Sequence, residues 1–109
     1  MATSRKEQAR FAQMVGKLLR KVDELGYEVT FGEAWRPEWV AREYERQGIG
    51  KKNTFHTKRQ AIDLNLFKDG VWLKTTDAHM PLGLYWESIG GTWGGRFPKP
   101  DGNHYSLGE

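Results

Sequence analysis

The chain has 109 residues, 38% of them hydrophobic and 13% aromatic, with five Trp and a formal charge of +3. That is the size of one ordinary domain with enough apolar material for a compact core, which excludes a disordered chain. There is no cysteine, which excludes disulfides and thiolate ligands, so any metal centre must draw on His56, His79 and His104 together with Asp or Glu.

The positive excess is modest and scattered among acids, which gives little ground for nucleic-acid binding. The opening "MATSRKEQAR" has no apolar h-region, and no apolar run approaches the ~20 residues that span a bilayer. The expectation is a soluble chain made in the cytoplasm.

In chain order, the first expected element is a helix from about Thr3 to Leu25. Phe11, Val15, Leu18, Val22 and Leu25 recur at helical spacing, with Met14 and Leu19 beside them. Ser4 with Gln8 is loosely cap-like, and Gly26 suits the position after the helix. "YEVTFGEAWRP" (Tyr27–Pro37) alternates and reads as a strand ending near Arg36. Pro37 then takes the first position of a short helix that Gly48 closes. "IGKKNTFHTKRQ" is a polar loop, in which Lys51-Lys52 and Lys58-Arg59 read as ordinary basic residues. "AIDLNLF" and "VWL" flank Lys68-Asp69-Gly70, a hairpin signal. "TTDAHMPLGLYWESIG" reads as a loop plus a short helix with Thr76 or Asp77 as N-cap. The Gly- and Pro-rich remainder holds two short strand pieces, around Trp93–Phe97 and His104–Leu107. The expected fold is α+β, a small and mostly antiparallel sheet packed with helices, as a single domain over residues 1–109.

Four residues in this layout draw attention. On the strand Ala61–Phe67, Ile62, Leu64 and Leu66 fall on one face, and Asp63 on the other. Asp is a poor strand former, yet a solvent-facing Asp63 is an equally open reading. His56 lies seven residues earlier, out of reach along a regular strand, but the polar run between them can turn and bring it back. At the other end, Asp101-Gly102-Asn103-His104 is a turn whose middle residues tolerate φ > 0, and it sets a carboxylate beside an imidazole. A catalytic zinc site needs three protein ligands and an open position. His56, Asp63 and His104 supply two nitrogens and an oxygen, and Asp101 is placed to accept a proton from the water that the metal activates.

These residues resemble a known family. "TFHTKRQAIDL" resembles the Ser-x-His-x-x-Gly-x-Ala-x-Asp motif of the zinc D-Ala-D-Ala carboxypeptidases, and "DGNHY" resembles their closing Asp/Glu-x-x-His-aromatic motif. "ESIGGTWGGRFPKPDGNHY" looks like the stretch leading into that motif in the L-alanyl-D-glutamate peptidases of the phage endolysin branch. "GEAWRP" is similar to the segment that carries the family's substrate-contacting arginine. The resemblance implies the D-Ala-D-Ala carboxypeptidase (hedgehog-like) fold and one Zn2+ per chain, held by His56, Asp63 and His104. It also implies Asp101 as general base and Arg36 at the scissile carbonyl. Thr54 stands where the family has Ser, and Arg59 where it has Gly. If that Gly serves a left-handed backbone angle, Arg59 must reshape the loop or carry strain of about 1–3 kcal/mol.

The function implied is hydrolysis of the L-alanyl-D-glutamate bond in peptidoglycan stem peptides by a monomer acting on the bacterial wall after release, without a separate wall-binding module. Three alternatives stay open: a D-Ala-D-Ala carboxypeptidase, a non-catalytic zinc-containing binding module, and a small nucleic-acid-binding protein. Among single residues, Arg36 could instead pair with Glu33 or Glu38 on the surface, and Glu87 is a fallback base. His79 matches no motif and reads as structural or exposed, and Trp86 and Trp93 read as core or cleft wall.

Overall fold

The computed structural model describes residues 5–49 and 54–108, so Ser4 and the Lys51-Lys52 pair lie outside the described residues. Helix α1 (Arg5–Glu24) buries Phe11, Met14, Leu18 and Val22, the stripe its apolar spacing calls for. Gly26 ends it at a positive φ of 80°, a conformation that costs glycine nothing. Leu25 falls beyond the helix and is 37% exposed. Strand β1 (Glu28–Phe31) is shorter than its alternation suggested. The chain leaves the sheet after Glu33 and enters helix α2 (Glu38–Arg46), with Pro37 as the N-cap residue, so the helix begins one residue later than expected.

Strands β2 (Ala61–Lys68) and β3 (Val71–Leu73) form the expected hairpin. Its two turn residues, Asp69 and Gly70, have φ of 52° and 78°, the positive values that Asp-Gly hairpin turns favour. The next segment corrects the sequence reading. In place of a loop and a short helix, one helix, α3 (Thr76–Ser88), runs for 13 residues. Its cap is Thr75, whose Oγ1 accepts from the Ala78 N–H at 3.1 Å. Pro81 and Gly83 argue against a helix by propensity, but His79, Leu82, Gly83 and Trp86 are all buried there. Gly83 is also required for space, since a Cβ would lie 2.1 Å from the Trp93 ring. Packing outweighs propensity.

Strand β4 (Thr92–Trp93), one 3-10 turn (Gly94–Arg96) and strand β5 (His104–Ser106) complete the chain. The sheet is antiparallel throughout, in the order β1-β2-β5-β4. Strand β3 pairs with residues 66–68 of β2 and β5 with residues 61–63, so the two share the edge opposite β1. The architecture is α+β, as expected. Ile62, Leu64 and Leu66 of β2 join the α1 stripe, Leu82, Trp86, Trp93 and Tyr105 in one core. Two buried indoles tie the end of the chain to it: Trp86 Nε1 donates to Ser106 O at 2.9 Å, and Trp93 Nε1 to Gly102 O at 2.7 Å. Among the described residues no helix is long and apolar enough to cross a membrane.

Candidate metal centre

Alternation along β2 buries Ile62, Leu64 and Leu66 in the core and turns Asp63 to the other face. The Asp63 N–H donates to Glu33 O at 3.0 Å, and its carbonyl accepts from the Gly32 N–H at 2.8 Å, both on the β1 edge. Its partner across the opposite edge is His104. The two therefore form a non-hydrogen-bonded pair, the arrangement that brings opposed side chains closest. His104 Nδ1 lies 3.4 Å from Asp63 Oδ1.

His56 arrives through a turn. Residues 54–60 wind through successive short-range backbone bonds, ending with Arg59 N–H to His56 O at 3.3 Å and Gln60 N–H to Phe55 O at 3.0 Å. This pair of bonds is the Schellman pattern, which needs a left-handed residue at its end. Arg59 fills that position at φ 59°, so it keeps the backbone shape a glycine would give, and its guanidinium lies 4.1 Å from the centre of the Trp35 ring. The Thr54 hydroxyl accepts from the His56 N–H at 3.3 Å, a role that Ser could fill as well. The turn returns His56 to β2, where its Nε2 sits 3.3 Å from Asp63 Oδ1.

The three side chains thus converge. Their candidate ligand atoms all lie within 4.8 Å of one another, and His56 and His104 are only 4% and 6% exposed. Asp63 Oδ1 is buried and, among the described residues, receives no well-formed hydrogen bond despite the two imidazoles beside it. Two ring nitrogens and an unsatisfied carboxylate oxygen around one point are a donor set suited to a divalent cation, so these residues could hold a metal ion. Burial pushes the Asp63 carboxyl up, but the close approach of the His104 and His56 imidazoles outweighs it and holds the group down at about 2. Asp63 is therefore ionised at neutral pH, as a ligand must be.

Asp101 stands at the rim. Its carbonyl accepts from the His104 N–H at 3.1 Å, and its own N–H donates to Gly94 O at 2.9 Å. The turn between Asp101 and His104 is present, but its geometry corrects the sequence reading. Neither Gly102 nor Asn103 has a positive φ. Gly102 is needed for room instead, because a Cβ would lie 2.5 Å from Thr76 Cα. Asp101 lines a cleft of about 580 Å³ together with Arg36, Thr54, His56, Asp63 and His104. Partial burial, then the Asp63 charge, raise its carboxyl above the usual range, against the opposing pull of the two histidines. A bound cation would add to that opposing pull.

Arg36 makes the pairing with Glu33 that its spacing suggested, with Nε and Nη2 at 3.1 and 2.5 Å from the two carboxylate oxygens, and it also faces the cleft. Its guanidinium also stacks over the Tyr44 ring at 5.1 Å. Glu87 is tied to Arg96 at 2.8 and 2.9 Å and does not line the cleft, which removes it as a base. His79 is structural: it is buried, with Nδ1 2.7 Å from the Tyr105 hydroxyl. Glu33 was overlooked as a site residue. Its Oε1 lies 3.5 Å from His56 Nδ1, and its only signal in the sequence is the spacing of three to Arg36.

A family model described as D-alanyl-D-alanine carboxypeptidase matches residues 48–107, more than half of the chain and including all three candidate ligands and Asp101. The chain belongs to this family. Among solved structures, the Serratia marcescens L-Ala D-Glu endopeptidase ChiX matches with a TM-score of 0.75 at 19% sequence identity, over 91% of this chain and 78% of that one. At that identity the likeness speaks for the fold. No curated protein matches the chain.

Proposed function

We propose that this member of a peptidase family is a zinc-dependent peptidoglycan peptidase that hydrolyses the L-alanyl-D-glutamate bond of stem peptides, in the manner of an endolysin. The observation that carries the reading is the meeting of His56, Asp63 and His104 in one cleft with Asp101 and Arg36 at its edge. His56 would offer Nε2, His104 Nδ1 and Asp63 Oδ1, the atoms that face one another. When bound, a divalent cation supplies Lewis-acid chemistry, making water a better nucleophile and a carbonyl a better electrophile near neutral pH.

The chain's own groups do the remainder. Asp101 takes a proton from the attacking water as the new C–O bond forms, and returns it to the amine nitrogen as the C–N bond breaks. Arg36, already held by Glu33 and Tyr44, meets the negative charge that develops on the carbonyl oxygen without having to reorganise. Support for an endopeptidase also comes from ChiX, described as acting on the L-Ala D-Glu bond. We place its action at the bacterial wall, reached after release from the cytoplasm, by a monomer.

One observation favours a second reading. Lys99 also lines the cleft, and a cation there could hold the free terminal carboxylate of a D-Ala-D-Ala substrate. Metal analysis of the purified protein, with mass spectrometry of digested muropeptides before and after chelation, separates the possibilities. Cleavage after L-Ala that stops with chelator supports the proposal; release of terminal D-Ala supports the carboxypeptidase. Asp101→Asn should keep the metal and lower turnover by about 10²–10⁴-fold. Retained activity in that variant would remove Asp101 as the base.

A further inference from the structure

We propose that Glu33 is a positioning residue: one carboxylate that fixes His56 of the metal site and Arg36 of the cleft relative to each other. The inference rests on the metal-site reading above. His56 turns Nε2 to Asp63 and Nδ1 to Glu33, with Nδ1 to Oε1 at 3.5 Å. Both atoms are buried; among the described residues Nδ1 takes part in no well-formed hydrogen bond, while Oε1 is shared with Arg36 Nη2. An imidazole that gives its Nε2 lone pair to a cation carries its proton on Nδ1. A carboxylate facing Nδ1 then fixes both the tautomer and the plane of the ring.

The same carboxylate engages Arg36 through Nε and Nη2. This is not an ordinary solvated pair on one turn of surface, because the two side chains are only 16% and 28% exposed. The backbone adds to the case. Arg36 N–H donates to His56 O at 3.1 Å, Asp63 N–H to Glu33 O at 3.0 Å, and Gly32 N–H to Asp63 O at 2.8 Å. Gly32 permits this approach: a Cβ there would already stand 3.2 Å from the Asp63 Cβ. Residues 32–36 are thus laced to the main chain of two candidate ligands, and Glu33 reaches from that lacing to the ring of one and the guanidinium of the cleft.

The test compares wild type, Glu33→Ala and Glu33→Gln as full chains. Co2+ binding is followed by its visible absorption, and Zn2+ affinity by competition with a chromophoric chelator. Glu33→Ala should weaken metal binding by about 10–100-fold and broaden or weaken the Co2+ bands. Glu33→Gln retains an acceptor for Nδ1–H but no charge for Arg36. It should restore metal affinity to near wild type while kcat/KM on muropeptides stays low. Metal-free melting curves establish that each variant is folded. Wild-type affinity in Glu33→Ala overturns the inference and leaves the metal reading standing. A wild type that binds neither ion removes the metal reading and the inference with it. If Glu33→Ala does not fold, the Gln variant decides: unchanged affinity together with unchanged kcat/KM overturns the coupling.

Discussion

His79 sits on α3 at 2% exposure, held against the Tyr105 hydroxyl. Burial disfavours its charged form and lowers its pKa from 6.5 to about 4. The unfolded chain takes up this proton near 6.5, while the folded chain resists it until about 4. Stability is therefore full above 6.5 and declines as pH falls toward 4, because the unfolded state binds more protons in that window. The melting temperature should fall across the same interval, and His79→Gln should flatten the decline; an equal slope in the variant would show that other groups cause it. At this scale the legible residues were those whose type conflicted with their surroundings. Asp63 is a carboxylate in an apolar strand, and His56 and His104 are two of only three histidines. Glu33 conflicts with nothing around it in the sequence, and its meeting with His56 exists only after a turn and a strand have been placed.

The turn over residues 54–60 shows how an element can depart from its family and keep its shape. Arg59 holds the left-handed angle at φ 59° and stacks on Trp35. Arg59→Gly would relieve about 1–2 kcal/mol of backbone cost. It would also forfeit a stacking contact of about 0.5–1 kcal/mol and loosen the unfolded chain by about 0.4–1 kcal/mol. The net change in urea unfolding should thus stay within about 1 kcal/mol. Arg59→Val loses the stack and adds a β-branched side chain at the same angle, and should cost about 1–3 kcal/mol. A glycine variant markedly more stable than wild type would mean that Trp35 offsets little. Elements with a clean period, α1 and the β2–β3 hairpin, were readable from the sequence. Helix α3 was readable only as a short helix and not at its full length, since Pro81 and Gly83 break the local signal and the reason they are tolerated, the Trp93 ring against Gly83, lies in another part of the chain.

Across the whole molecule, the candidate ligands come from three separate places: the turn before β2, β2 itself and β5. An ion bound there would cross-link them in the native state alone, adding about 2.7 kcal/mol at a hundred times its Kd. The melting temperature should rise with added Zn2+ and return with chelator, and Asp63→Asn should abolish the rise. A shift of equal size in that variant would place the ion elsewhere. The fold class was legible at this scale because apolar periods and turn signals specify the kinds of element. The strand order was not, because the pairing of β2 with β5 joins segments some forty residues apart, and nothing in either segment names the other.

Strand β2 has neighbours on both edges and carries Ile62, Leu64 and Leu66 on one side and Asp63 on the other. Sliding it by a single residue would turn Asp63 and Asn65 toward the core and the aliphatic side chains away from it. A slip of that strand would therefore disturb the core and displace Asp63 from His104 in the same event.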